Sequence, residues 1–319
     1  MILHVDDQQA TAILGAMRGV GLARHGTLTE ADQRTITTAA EIVFAKADLA
    51  AGDSIDPDAL AAAMLSPADA LQAVRMLAVM SLVDGTVDRA KNDLVKAYAA
   101  ALGVEADFVD ILAEAAAGEV AQAAACIVRK NAESFRLDIT GLDEDAVAPF
   151  FPYRGGHADP DLEARYKTLE HLPIGTFGHA FFEHFDRNGF AFPGNENGLA
   201  EGFTTPHDSS HVLSGYSTDA LGEMCVSTFI GAMHPDHPMA AEVLPVLFSW
   251  HLGIKLNSIA NSLTGYFEPR VFWTAWDRGS ATTVDVIAAD WDFWGATETP
   301  LAELRVAYGV PGVSSELIP

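Results

Sequence analysis

The stretch SPADALQAVRMLAVMSLVDG, residues 66–85, decides the fold class. Ser66 can cap a helix whose first residue is Pro67, where a missing N–H goes unnoticed. Leu71, Val74, Leu77, Ala78 and Leu82 then recur at helical steps and share one face. Gly85 stops the run, because glycine readily takes the left-handed conformation in which helices end. The same grammar repeats on both sides. TLTEADQRTITTAAEIVFAKADLA (27–50) opens on Thr27 or Thr29 as a cap, with acidic residues in its first turn. VDRAKNDLVKAYAAALGV (87–104) stops at Gly103, EADFVDILAEAAAG (105–118) stops at Gly118, and a further run reaches about Arg136. Short loops between amphipathic helices predict a small bundle.

LDITGLDEDAVAPFFPYRGGHADPDLE (137–163) interrupts the pattern with Asp, Pro and Gly and reads as a connector. Beyond it, DLEARYKTLEHL (161–172), PIGTFGHAFFEHFDRNGF (173–190) and TPLAELRVAYG (299–309) are helical. AFPGNENGLAEGFTTP (191–206) reads as a loop, from its Asn and Gly density. EVLPVLFSWHLGIKLNSIANSL (242–263) is the most apolar segment. Pro245, His251, Lys255 and Asn257 make it a buried protein helix rather than a lipid-spanning one. No alternation long enough for a strand occurs. The expectation is an all-α protein in two parts, a small bundle over 1–140 and a larger, mostly helical metal-binding domain over 141–319.

A chain of 319 residues, 49% hydrophobic and 20% charged, has the composition of a globular protein. Its net charge of −25 excludes nucleic acid as a partner, since phosphate recognition needs clustered Lys and Arg. It also disfavours electrostatic docking on anionic lipid. Two cysteines far apart, Cys126 and Cys225, rule out a disulfide framework and fit a reducing compartment. No basic segment followed by an apolar stretch opens the chain, so the expected location is cytoplasmic.

The chemistry concentrates in HDSSHVLSGYSTDALGE (207–223). Pro206 suits a helix start just before His207. On a helix His207 and His211 share a face and can reach one cation. Asp208 is rotated by about 100° from His207. It joins such a site at its edge or orients a ligand from behind. Gly215 permits a sharp turn, Ser217 or Thr218 can cap a second helix, and Glu223 returns toward the histidines in its first turns. Two imidazoles with one or two carboxylates suit Zn²⁺, Fe²⁺ or Mn²⁺, and with open positions also suit iron that handles O₂. A His-Asp pair is also found in metal phosphohydrolases, which need further ligands on other helices. Cys225, two residues past Glu223, faces away from the cluster.

HDxxH, eleven residues, then Glu resembles the metal motif of the fourth coenzyme Q (ubiquinone) biosynthesis protein family. LPIGTFGHAFFEHFDRNGF (172–190) and TAWDRGSATTVDVIAADWDFWGATETPLAELRVAYGV (274–310) are similar to other segments of that family, in the same order. The resemblance covers roughly residues 160–310. It implies a helical fold, a divalent metal held by His207, Asp208, His211 and Glu223, and an apolar cavity for a polyprenyl tail. The expected metal is Fe²⁺ or Zn²⁺, with Mg²⁺ or Mn²⁺ as alternatives. The implied activity is oxidative removal of the C1 carboxylate of a prenylated aromatic acid with replacement by hydroxyl, Asp208 acting as ligand or proton carrier. The alternatives are a quinone-binding scaffold with a structural metal and an HD-type phosphohydrolase. The implied partners are a prenylated aromatic or quinone lipid and other enzymes of quinone synthesis, with a homo-oligomer left open, and the implied placement is peripheral on a membrane.

Met224, Phe229, Met233, Leu244, Leu247, Phe248, Trp250, Ile254 and Ile259 could line the tail's cavity, and Arg270 or Arg278 could meet a carboxylate or phosphate. MSLVDGTVDRAKNDLVKAYAAALGV (80–104) resembles a tellurite-resistance TerB-like helical domain. That likeness makes Asp84, Asp88 and Asp93 candidate acidic ligands in the first part, against a reading as helix caps and solvated surface.

Overall fold

The computed structural model describes residues 3–140, 142, 146–257 and 262–312. Among these the protein is all-α. It contains two isolated β-bridges, Thr176–Pro300 and Leu252–Thr264, and no strand. The first seven helices are α1 (Asp7–Leu22), α2 (Glu30–Ile42), α3 (Pro57–Ala61), α4 (Pro67–Met80), α5 (Arg89–Ala101), α6 (Asp107–Ala116) and α7 (Val120–Ser134). Their starts are chemical. Asp6, Thr29, Asp56, Ser66 and Asp88 each accept a hydrogen bond from a backbone N–H of the first turn, which satisfies a donor the helix cannot.

After the connector come α8 (Pro160–Lys167), α9 (Phe177–Asn188), α10 (Glu201–Ser214), α11 (Ala220–Met233), α12 (Leu244–Val246), α13 (Pro269–Ala281), α14 (Phe293–Ala296) and α15 (Leu301–Ala307). The helices on either side of residue 140 share one apolar core. Met17, Leu77 and Phe108 belong to the same cluster as Met224, Phe248, Phe272 and Trp276. α13 is stitched to α2, for Trp273 Nε1 donates to the Thr35 carbonyl and Arg270 pairs with Glu41. A second core, rich in phenylalanine, lies beneath α9 and contains Tyr166, Phe177, Phe181, Phe185 and Phe293. No helix among the described residues is long and apolar enough to cross a membrane.

Two expectations about elements need correcting. The helix carrying the histidines begins at Glu201, so the end of the expected loop is its first turn and Pro206 lies inside it. The chain tolerates this because the preceding turn is secured by the Thr204 N–H to the Ala200 carbonyl (2.9 Å), leaving the proline to forfeit one bond. Nor is 242–263 one helix. Pro238–Val243 and Leu247–His251 are π-helical turns flanking α12, and among the described residues of this stretch no helix follows His251. Pro245 has no N–H to give the Ala241 carbonyl four residues back. Asn131 of α7 supplies it instead, its Nδ2 donating at 2.7 Å. Gly253, at φ 69°, then turns the chain away.

Candidate metal centre

Three helices converge on the site. α10 presents His207, Asp208 and His211, α11 presents Glu223 in its first turn, and α9 presents His184. Gly215 ends α10 in the left-handed region at φ 83°, returning its N–H to the His211 carbonyl at 2.8 Å. The cap of α11 is Asp219, whose Oδ1 accepts from the N–H groups of Leu221 and Gly222. Ser217 and Thr218, expected as caps, lie before it. Asp219 displaces them because its carboxylate is a stronger acceptor at the positive end of the helix.

The ligand atoms of His207, Asp208 and His211 lie within 4.8 Å of one another. Glu223 spans the two imidazoles, with Oε2 at 3.6 Å from His207 Nε2 and Oε1 at 3.4 Å from His211 Nε2. His211 Nδ1 is 3.0 Å from the Tyr216 carbonyl. A carbonyl only accepts, so Nδ1 carries the proton and the neutral ring has its lone pair on Nε2. That Nε2 is buried and has no hydrogen-bond partner. Leaving a buried polar atom unpaired costs about 1–3 kcal/mol, and a cation between the imidazoles and Glu223 would remove the cost. Two donors ~2.1 Å from one ion are ~3.4 Å apart in a tetrahedral site; the Glu223 oxygens already lie at about that separation from the two imidazole nitrogens, and the His207, Asp208 and His211 set has to close in by up to ~1.4 Å. The residues fit a divalent metal.

Charge and support are arranged around these atoms. His184 Nε2 donates to Asp208 Oδ1 at 2.7 Å, and Asp208 Oδ2 lies 3.9 Å from His207 Nδ1. Burial would raise the Asp208 pKa, but the hydrogen bond from His184 and the nearness of His207 outweigh it and hold the carboxyl well below its usual range. Burial lowers the His211 pKa, and the facing Glu223 more than reverses this. The His207 ring stacks on Phe203 at 5.1 Å, and the rings of His184 and His211 stack at 5.3 Å. The last carbonyls of α10 are capped by two arginines. Arg305 donates to Val212 and Leu213, and Arg278 to Ser214 at 2.9 Å. Arg278, a candidate for a substrate anion, is thus buried in support of α10.

A cavity of ≈ 420 Å³ opens on His207, Asp208 and Glu223. Its walls are largely apolar, with Phe150, Phe203, Val246 and Trp250 among them, and Asn131, Thr218, Ser227, Glu242, Ser249 and Asn257 are its other polar groups. Such a volume suits a small organic ligand. Of the candidate lining residues, Trp250 borders this cavity. Met224, Phe229, Leu244, Leu247 and Phe248 lie buried in the cores, Met233 and Ile254 are partly buried against them, and Ile259 falls outside the described residues. Arg270 lies on the surface in its pair with Glu41.

Sequence reading missed His184 and Glu242. His184 is 24 positions before Asp208, and only the packing of α9 on α10 joins them. Glu242 did carry a signal, a carboxyl alone in the apolar run PMAAEVLPVLF. In the first part, Asp84 and Asp32 are occupied by Lys91, whose Nζ is 2.9 Å from Asp84 and 3.1 Å from Asp32. Asp88 caps α5 and lies 3.4 Å from Arg24, and Asp93 is paired with Arg89 at the surface.

No family model matches the chain, and no curated protein does. Among solved structures, the crystal structure of a provisionally assigned ubiquinone biosynthesis protein from Nostoc punctiforme PCC 73102 is similar, at 21% identity and a TM-score of 0.32. The match covers 76% of this chain and 97% of that one. A likeness at that level carries no argument about chemistry.

Proposed function

We propose that this protein binds one divalent metal ion through His207, His211, Glu223 and Asp208, next to an apolar cavity that takes an aromatic carboxylic acid with a polyprenyl tail. The reaction proposed is exchange of the C1 carboxylate for hydroxyl. The observation that supports it best is the buried, unpartnered Nε2 of His211, aimed with His207 toward Glu223 at the cavity's edge. The motif resemblance supplies the substrate class.

Bound Fe²⁺ would supply oxidation chemistry, whereas Zn²⁺ would supply only Lewis acidity. In the balanced reaction the ring loses CO₂ and gains one oxygen of O₂. The other oxygen leaves as water, after an external donor provides two electrons and two protons are taken up. The chain's own contribution is positional and electrostatic. His184 orients Asp208 and keeps it an acceptor, Tyr216 fixes the His211 tautomer, and the cavity walls exclude water from the ring.

The test is metal analysis of protein purified without added metal or a metal-binding tag, followed by an assay for CO₂ release from carboxyl-labelled 3-farnesyl-4-hydroxybenzoate. About one iron per chain with O₂-dependent release is expected. Zinc without release would turn the reading to a lipid-holding scaffold. No metal, and none bound on titration, would sink the site.

A further inference from the structure

The cavity contains one carboxyl that the metal cluster does not use. Glu242 is 2% exposed, on the π-helical turn Pro238–Val243, and accepts a hydrogen bond from Ser134 Oγ at 3.1 Å. Its placement is built rather than incidental. Asn131 holds the preceding carbonyl of Ala241, and Gly231 of α11 lets the turn approach closely, since a Cβ there would lie 3.1 Å from Glu242 Cβ and 2.9 Å from the Pro238 carbonyl. π-helical turns concentrate at functional positions. Gly231 is eight residues beyond Glu223 on α11, or about 12 Å along the axis at the helical rise. That is of the order of a benzene ring with an oxygen group at each end, plus one metal bond and one hydrogen bond.

We infer that Glu242 is a recognition residue of this cavity, hydrogen-bonding an oxygen substituent on the ring of an aromatic acid whose carboxylate lies at the His207–His211–Glu223 end. The inference rests on the function proposed above. Burial pushes the Glu242 carboxyl well above the ordinary carboxylate range, against the weaker opposing effect of Ser134. As a neutral acid it can donate to a ring oxygen, and it adds no further negative charge to a cavity that already contains Asp208 and Glu223. The apolar wall between the two ends then holds the ring and leaves its tail to hydrophobic contact.

The test compares 3-farnesyl-4-hydroxybenzoate with 3-farnesylbenzoate, which lacks the ring hydroxyl, by calorimetric titration of the full chain saturated with zinc. Wild type should bind the hydroxylated acid roughly tenfold more tightly. Glu242→Leu should bind both at the weaker affinity, and Glu242→Gln, neutral and still able to donate, should keep most of the preference. A Leu variant that still discriminates, or a Gln variant that does not, overturns the role of Glu242 while the metal and substrate reading stands. A wild type that takes up zinc and binds neither acid overturns both the substrate reading and this inference. Should the Leu variant fail to fold, the Gln variant alone decides, because loss of its preference contradicts recognition by a neutral acid.

Discussion

Two clusters of buried charge lie in this molecule, and they are built on opposite plans. In the first part, Lys91 is 1% exposed and its ammonium touches both Asp84 and Asp32. Asp32 also accepts from Thr29 at the start of α2, and Asp84 from Thr86. In the second part, His207, Asp208, His211 and Glu223 bring two carboxylates against imidazoles, and the buried Nε2 of His211 makes no hydrogen bond, with Glu223 Oε1 3.4 Å away. The first cluster contains its own cation and is closed. The second contains no Lys or Arg and faces a cavity. Acidic residues near a helix start therefore say little by themselves. What separates a structural cluster from a candidate metal site is whether the chain has already supplied the positive charge.

Lys91→Met tests the closed side of that contrast and has the largest expected effect. It strands two buried carboxylates, and removing one partner of a buried pair costs about 3–5 kcal/mol. Urea denaturation should show this loss while metal uptake per folded chain stays unchanged. If Lys91→Met instead abolished metal uptake in the folded protein, the two clusters would not be independent. His211→Gln tests the open side. Zinc affinity measured by competition with a chelator should fall at least ~100-fold, about 2.7 kcal/mol. The metal-free variant should denature within ~1 kcal/mol of wild type, since the lost Tyr216 bond is offset by relief of the unpaired nitrogen.

Glu242 sharpens the comparison through pH. Its folded-state pKa is raised, so between the ordinary carboxylate pKa and the raised one the unfolded chain releases a proton that the folded chain retains. Stability is therefore lost as pH rises through that window. Glu242→Gln removes this loss, and its melting temperature should gain on wild type as pH rises from 5 to 8. A constant difference across that range would show that Glu242 ionises as readily folded as unfolded. Arg305→Ala uncovers the Val212 and Leu213 carbonyls at the end of α10, and should cost ~1 kcal/mol in denaturation. Asp93→Asn touches only an exposed pair with Arg89, and less than ~0.5 kcal/mol should change.

The helical architecture was legible because its punctuation is local. Ser66 with Pro67, Thr29 with Asp32, and Gly215 are read within a few residues and act within a few residues. The candidate ligands were legible for the same reason, as two turns of one helix and the start of the next contain His207, His211 and Glu223. What surrounds them was not. Arg278 looked like a free cation in an acidic chain, yet its guanidinium meets the Ser214 carbonyl 64 positions away. Arg270 is drawn to Glu41, 229 positions away. The bend of 242–263 depends on Asn131, a residue of the other half. Long-range partners choose among the roles that a polar side chain's chemistry allows, and sequence spacing has no access to that choice.

The π-helical turns also bear on how this cavity could be altered. A π turn contains one residue more than the α turn it replaces, closing Leu244 N–H on Met239 and Leu252 N–H on Leu247, five positions back. Deleting Ala240 would remove the residue that the first wide turn absorbs, so this turn can close to α-helical register while the side chains beyond Leu244 keep their directions. The change would stay within the stretch that contains Glu242 and the Ala241 carbonyl held by Asn131. A one-residue deletion between His237 and Leu244 is therefore a way to redraw one end of this cavity and leave its other walls in place.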